Sequence, residues 1–173
     1  MDDVTIRPLE REDAAAIAEV QCRSWNESYR GLIPDAIIDE FTGPEGFPKR
    51  WRERLQPGVE LPTNTWVAET RELGLVGFVS IGPSRDPRFE LPGEVWALYL
   101  VRAAQKRGIG RALWDAALAG CRDAGWWPGH VWVLADNPSR KFYEHVGGVE
   151  IARRPCRLEG AQHLEEVSLR FGG

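Results

Sequence analysis

The sequence lacks an excess of basic residues. Its 22 lysine and arginine residues are outnumbered by 26 aspartate and glutamate residues, which gives a formal net charge of -4. Proteins that bind nucleic acid usually carry a basic excess or a basic stripe, and neither is present here. An anionic ligand would therefore depend on a local binding site rather than on the field of the whole protein.

Long apolar runs and paired cysteines are also scarce. No uninterrupted stretch of about 18 apolar residues occurs, so no membrane-spanning helix is expected. The acidic start, Met1-Asp2-Asp3, leads into a strand-like segment, which predicts no signal peptide. The three cysteines have no CxxC spacing and favour free thiols, while the three histidines form no metal-ligand pattern. The sequence thus predicts a cytoplasmic protein without a bound metal.

Apolar spacing along the chain predicts alternating strands and helices. The 173 residues, with neither a repeat nor a long linker, are expected to form one domain. Strands are predicted over 4–8, 65–70, 73–82, 94–101, 130–135, 149–153 and 165–171. Helices are predicted over 10–29, 34–41, 108–124 and 138–146, with a possible helix over 49–55 and an exposed loop over 84–92. The order βααβββαβαββ predicts a mixed α/β (α+β) sheet with helices on its faces.

The most informative segment is Gln105-Lys106-Arg107-Gly108-Ile109-Gly110-Arg111, which follows an apolar strand and opens an amphipathic helix. Unpaired backbone N–H groups and the helix dipole make such a helix start an anion site. Its glycines let a phosphate approach the backbone, and its basic side chains add positive charge, so a pyrophosphate fits. An ordinary strand-to-helix turn accounts for the same glycines. Neither GxxxxGK[ST] nor the dinucleotide GxGxxG motif with its acidic partner is present.

Several runs together resemble the GCN5-related N-acetyltransferase (GNAT) superfamily. Residues 98–110 are similar to its acetyl-CoA motif, a buried strand followed by Q/R-x-x-G-x-G/A. Residues 135–144 look like its strand-end asparagine followed by a helix with Phe-Tyr-Glu. Residues 24–34 resemble a run common in bacterial members of unassigned substrate. The chain departs from the family at Gly147-Gly148 and at Ser139, where Gly-Phe and Ala are frequent, but neither change removes a group needed for the chemistry.

The resemblance implies a mostly antiparallel sheet that splays beside its central strand, acetyl-CoA as co-substrate, and transfer to a primary amine. It implies that Tyr143 is the general acid at the coenzyme A sulfur. It also implies that Glu94, at the start of the central strand, is the base, directly or through water. A backbone N–H near Leu100 would stabilise the oxyanion. The residues expected to bind the cofactor are Leu98, Tyr99, Leu100, Gln105, Lys106, Arg107, Gly108, Ile109, Gly110, Arg111, Asn137, Ser139 and Tyr143.

Each chemical role has a structural alternative that the sequence leaves open. Tyr143 is also typical of a core aromatic on a helix, and Glu94 of a solvated residue at a strand edge. Asn137 would make a good helix cap ahead of Pro138, a role compatible with binding the cofactor.

The acceptor side is the least determined. Trp25 and Tyr29, on the first helix, are predicted to bind the substrate, because aromatic faces beside the carboxylate of Glu27 would suit a small cationic amine. Packing of both aromatic side chains in the core is the alternative.

Four other tryptophans are given structural interpretations. Trp96 and Trp132 lie on predicted buried strands and are interpreted as core. Trp126 and Trp127 follow Gly125 and are interpreted as an exposed patch that would fit a homodimer contact.

Three functions therefore stay open. The first is acetylation of a small-molecule amine by direct attack in a ternary complex, without nucleic-acid or membrane partners. No cysteine lies in either motif, so no acetyl-cysteine intermediate is expected. The second is an acyl-CoA sensor without turnover. The third is acetylation of a protein lysine or N-terminus, which depends on whether residues 43–62 cover the site.

Overall fold

The computed structural model describes residues 4–172, which form a seven-stranded sheet with helices on both faces. The acidic start Met1-Asp2-Asp3 lies outside the described residues. The strands are β1 (Val4–Pro8), β2 (Thr65–Thr70), β3 (Gly74–Pro83), β4 (Gly93–Leu100), β5 (Gly129–Leu134), β6 (Val149–Pro155) and β7 (Glu165–Phe171). The helices are α1 (Ala14–Tyr29), α2 (Asp35–Thr42), α3 (Phe47–Arg54), α4 (Ile109–Asp123) and α5 (Arg140–His145).

The sheet has the strand order β1-β2-β3-β4-β5-β7-β6, and every neighbouring pair is antiparallel except β4 with β5. This confirms the predicted mixed, mostly antiparallel sheet. The predicted order omitted α3, which forms a third helix between β1 and β2 with Pro48 in its first turn, where proline is tolerated.

The two faces of the sheet carry different helices. A side chain at Gly77 would meet Leu113 of α4, whereas the ring of the next residue, Phe78, lies 5.5 Å from that of Trp51 in α3. Successive strand residues point to opposite faces, so α4 covers one face and α3, with α1, the other. The main core fills both layers, and the buried side chains of Trp114 and Ile17 belong to it.

The central strand β4 carries a bulge. Ser80 pairs with Ala97 while Ile81 pairs with Val95, so Trp96 is an extra residue on β4. Just beyond this point, β4 and β5 part.

The pairing of β4 with β5 is short. It covers only Gly93–Val95 with Gly129–Val131, although both strands continue. The later part of β4, Ala97–Leu100, is consequently half-buried, although the sequence predicted a strand buried on both faces. The splay that the family resemblance implied is present.

Several local expectations were wrong. Trp96 and Trp132 are half-buried rather than core, because they flank the splay. Trp126 and Trp127 are also partly buried, so they form no exposed patch and give no support to a homodimer contact. The predicted exposed loop, residues 84–92, contains a 3-10 turn and holds a buried carboxylate.

Two kinds of feature are absent from the described residues. No helix between residues 4 and 172 combines the length and apolar character needed to cross a membrane. In the same part of the chain, histidine, cysteine and acidic side chains are nowhere grouped to hold a metal ion.

Candidate active site

The start of α4 is open. Gly108 precedes it with φ +82°, a left-handed conformation that glycine adopts without strain. A Cβ at Gly108 would meet nothing within 4 Å, and one at Gly110 would only touch Leu100 and Phe142 at 3.8 Å. Ile109, between the two glycines, packs its side chain into the main core. Bare amides, an open approach and a 15-residue helix dipole are the features that suit a diphosphate.

The basic side chains of this turn differ in their partners. Lys106 and Arg107 are exposed beside the turn. Arg111 donates from Nε to Asp115 at 2.8 Å, so its guanidinium group is paired with a carboxylate one turn further along α4. Gln105 donates from Nε2 to the carbonyl oxygen of Leu100 at 3.1 Å, so it ties the turn to the end of β4.

The backbone of β4 offers unpaired groups on the splayed side. The N–H of Val101 donates to the carbonyl of Val76 at 3.0 Å. This hydrogen bond shows which backbone groups at the end of β4 point towards β3. Antiparallel pairing alternates, so the N–H of Tyr99 also faces β3, whereas those of Leu98 and Leu100 face β5. Because β5 has moved away there, the backbone of Leu98 and the N–H of Leu100 form an open strand edge, whereas the carbonyl of Leu100 already accepts Gln105.

Three tyrosines converge beside this edge. Burial and the nearby hydroxyls of Tyr99 and Tyr143 raise the pKa of Tyr29 well above its usual value. The ring of Tyr143 packs against Trp114 and Phe171 at centroid distances of 5.8 and 6.4 Å, and burial raises its pKa as well. Within residues 4–172 its hydroxyl makes no hydrogen bond. Tyr143 thus presents an unshared, protonated O–H at neutral pH.

Asn137 was expected to cap a helix and to bind the cofactor, and the structure shows the cap. Its Oδ1 accepts the N–H of Ser139 at 2.9 Å and so caps the turn that leads into α5. Its Nδ2 donates to no group in the described part of the chain, which leaves this amide available to a ligand. Ser139 is exposed at the N-cap of α5.

The two residues predicted to bind the acceptor, Trp25 and Tyr29, have different surroundings. Trp25 is buried, with its ring 5.1 Å from Phe41 and 4.9 Å from Phe47, as the core interpretation expected. Its Nε1 is buried and lies beside the hydroxyl of Tyr99. Tyr29 is only half-buried and joins the tyrosine cluster. The carboxylate of Glu27 already accepts the backbone N–H of Arg102 at 2.6 Å.

Glu94 lies at the closed end of the splay. Its side chain is 3% exposed and pairs with Arg85, which donates from Nη2 at 2.5 Å, from Nε at 3.2 Å and from its backbone N–H at 2.9 Å. The solvated-edge interpretation is therefore wrong. Both carboxylate oxygens of Glu94 already accept hydrogen bonds from Arg85. An amine that transferred its proton directly to Glu94 would have to compete with these hydrogen bonds.

Residues that the sequence did not single out surround Glu94. His130, fully buried, has Nε2 2.8 Å from Ser84 Oγ and 3.9 Å from Glu94. Burial lowers its pKa against the opposing effect of Glu94, so it is neutral at pH 7.

A cavity of about 230 Å³ opens next to Glu94. It is lined by Arg85, Asp86, Glu94, Trp132, Arg154 and Arg157. Arg85 and Asp86 belong to the run that the sequence predicted only as an exposed loop.

The site combines three features: an open strand edge, the start of α4 with its unpaired amides, and the Tyr143 hydroxyl at the splay between β4 and β5. Together they are typical of the acyltransferases that the sequence resembles. A family model described as the acetyltransferase (GNAT) family matches residues 22–148. An uncharacterized N-acetyltransferase of Bacillus subtilis, YuaI, is 32% identical over 166 residues, covering 96% of this chain and 91% of that protein. The chain belongs to the acetyltransferase (GNAT) family, and its enzyme class is that of the N-acetyltransferases.

Solved structures share the fold. The GCN5-related N-acetyltransferase from Rhodopseudomonas palustris superposes with a TM-score of 0.72 at 20% identity, covering 98% of this chain and 96% of that one. The PaiA N-acetyltransferase from Thermoplasma acidophilum, in complex with coenzyme A, gives a TM-score of 0.66 at 20% identity, covering 98% and 99%.

Proposed function

We propose that residues 1–173 act as one N-acetyltransferase domain that transfers the acetyl group of acetyl-CoA to the primary amine of a small molecule. The observation that carries this proposal is the splay between β4 and β5. One end of it meets the open start of α4, and the other ends at the Glu94 cavity. The three free cysteines suit the reducing cytoplasm, which we propose as the location.

The residues present fit the cofactor. The amides of Gly108, Ile109 and Gly110 would hold the diphosphate, with Lys106 and Arg107 adding charge. The similarly folded PaiA N-acetyltransferase is in complex with coenzyme A, which supports coenzyme A as the ligand of this fold.

The arm of the cofactor would be held by backbone. The open edge at Leu98 and Leu100 would pair with its amides as a further strand does, joined by the side-chain amide of Asn137. When bound, acetyl-CoA supplies an acetyl thioester. Leu98 lies closer to the closed end of the splay than Leu100, so its N–H is the better placed of the two to stabilise the carbonyl oxygen as negative charge develops there.

The acceptor must lose a proton, because amines with a pKa of about 10 are mostly protonated at pH 7. Glu94 would take this proton through a water molecule, while Arg85 holds the carboxylate in place. The nitrogen–carbon bond forms as the carbon–sulfur bond breaks. Tyr143 then donates its hydroxyl proton to the departing sulfur and recovers a proton from solvent.

Direct attack needs no nucleophilic side chain. Cys121, the cysteine on α4, is buried, and burial raises the pKa of its thiol to about 11. A thiol with that pKa is almost entirely protonated at neutral pH and is a poor nucleophile.

Two measurements test the proposal. Release of coenzyme A thiol is followed with acetyl-CoA and a panel of primary amines, and acetyl-CoA binding is titrated by calorimetry. We expect saturable binding together with release for at least one small amine. Tight binding with no release across the panel would indicate an acyl-CoA sensor. Acetylation of intact proteins but of no free amine would indicate a protein acetyltransferase, with residues 43–62 leaving the site open to a peptide.

A further inference from the structure

The Glu94 cavity lies where an acceptor would meet the splay. Glu94 pairs with His130 in the last paired stretch of β4 and β5, and Trp132 stands one residue beyond the final pair, Val95 with Val131. Its volume of about 230 Å³ is below the range of about 300–1,000 Å³ that holds drug-sized ligands. The cavity therefore suits a small molecule.

The carboxylates around the cavity are already neutralised. Glu94 is bound by Arg85, and Arg88 donates to both oxygens of Asp86 at 2.7 and 2.6 Å. Arg154 donates to Glu166 at 2.7 Å. These ion pairs match three guanidinium groups with three carboxylates, so an incoming cation finds no unpaired negative charge here.

A fourth guanidinium group is left over. The nearest carboxylate oxygen to Arg157 is Oδ2 of Asp86, at 3.9 Å, and that oxygen is already shared with Arg88 and Arg154. Arg157 makes no hydrogen bond within residues 4–172, and its side chain is 60% exposed. The cavity thus has one positive charge in excess and donors that have no acceptor.

The wall supplies a second unused donor. The Nε1 of Trp132 is buried without a partner in the described chain, while Arg154 lies 3.7 Å above the same ring. This cation on the ring face fixes the indole in place.

We infer that the acceptor carries an acidic group as well as its amine, as an α-amino acid does. This inference rests on the proposed function and names its substrate class. Arg157 binds the carboxylate of the acceptor, and Trp132 lines the part of the cavity that holds this carboxylate. The amine of the acceptor points to Glu94. The small cationic amine expected from the aromatic residues of α1 is disfavoured, because Glu27 and Glu94 are both engaged.

The test compares common α-amino acids with their carboxamides, which keep the amine and lose the charge. Thiol release is measured for each pair with the wild type, Arg157→Gln, Arg157→Lys and the control Arg122→Gln, a change on α4 away from the cavity. We expect kcat/KM to favour the preferred acid over its amide by about ten-fold or more. Arg157→Gln should raise KM for the acid by about ten-fold or more with kcat nearly unchanged, and Arg157→Lys should retain part of the preference.

The inference is overturned if carboxamides are acetylated as well as the acids, or if Arg157→Gln affects both alike. If no panel member releases thiol, NMR titration decides, using the Trp132 indole N–H signal assigned with Trp132→Phe. Saturable shifts with amino acids that vanish in Arg157→Gln support the inference, and no shift with any acid overturns it. Acetyl-CoA titration is scored separately. Acetyl-CoA binding and turnover without a preference for acids would defeat this inference alone, whereas absent acetyl-CoA binding would defeat the proposed function and, with it, this inference.

Discussion

Replacing Tyr143 by phenylalanine removes one oxygen atom from the proposed active site and little else. The ring contacts with Trp114 and Phe171 are kept, and the lost hydroxyl has no hydrogen-bond partner in residues 4–172. We therefore expect the free energy of unfolding to change by less than about 0.5 kcal/mol. Truncation to alanine would instead cost about 3–5 kcal/mol through the cavity it leaves.

The catalytic effect should be larger than the effect on stability. General acids contribute about 10²–10⁴-fold to rates, with most effect when their pKa lies near the working pH. Burial raises the pKa of Tyr143, so its contribution belongs at or below the low end of this range, and we expect kcat to fall by about 10–100-fold, or about 1.4–2.7 kcal/mol.

The assay is thiol release at saturating acetyl-CoA, together with calorimetric acetyl-CoA affinity and thermal unfolding. Tyr29→Phe and Tyr99→Phe are the matched controls, since each deletes a neighbouring hydroxyl from the same cluster. Acetyl-CoA affinity should be preserved in Tyr143→Phe, and its loss of kcat should clearly exceed the loss in the other two variants. Unchanged kcat in Tyr143→Phe, or an equal loss in all three, would refute the general-acid role.

Other changes test the scaffold. The pKa of Asp86 is held at about 2, chiefly by Arg88, so the ionised form stabilises the fold above the usual carboxyl pKa, and this is lost as pH falls from about 4 to 2. Asp86→Asn should lower the melting temperature at pH 7, and a gap that persists undiminished at pH 2 would contradict this. Gly93→Ala puts a Cβ 1.9 Å from the carbonyl oxygen of Trp126 and should cost about 1–3 kcal/mol or more in a denaturant titration. The matched change Gly110→Ala has room and should stabilise by about 0.5–1 kcal/mol.

Much of the fold follows from local pattern. The predicted bounds of β1, β2 and β7 coincide with those observed, because alternation and turn residues mark their ends. The helix after the glycine turn was predicted within a residue at each end, since its apolar spacing and its glycines agree. The third helix was seen only as a possibility, because residues 43–62 are rich in proline and glycine.

The site depends on contacts that local pattern does not contain. Trp96 and Trp132 were interpreted as core because an apolar strand does not reveal where its neighbour departs. Asp86 was placed in an exposed loop, yet it is 2% exposed because Arg154, distant in sequence, covers it. The same separation hid the cavity, whose arginines come from two loops and a strand.

The central claim is that the start of α4 holds the diphosphate of coenzyme A. Calorimetric titration of coenzyme A into the wild type, Gly108→Asn and Gly108→Asp tests it most directly. Asparagine and aspartate have nearly the same size, and both tolerate left-handed φ better than most residues, so the two variants differ mainly in charge.

Two unit charges about 5 Å apart interact by about 1–3 kcal/mol at an effective dielectric constant of about 20–80. Gly108→Asp should therefore bind coenzyme A about 5–150-fold more weakly than Gly108→Asn, with both variants folded. Equal affinity in the two folded variants would contradict the claim and place the diphosphate elsewhere.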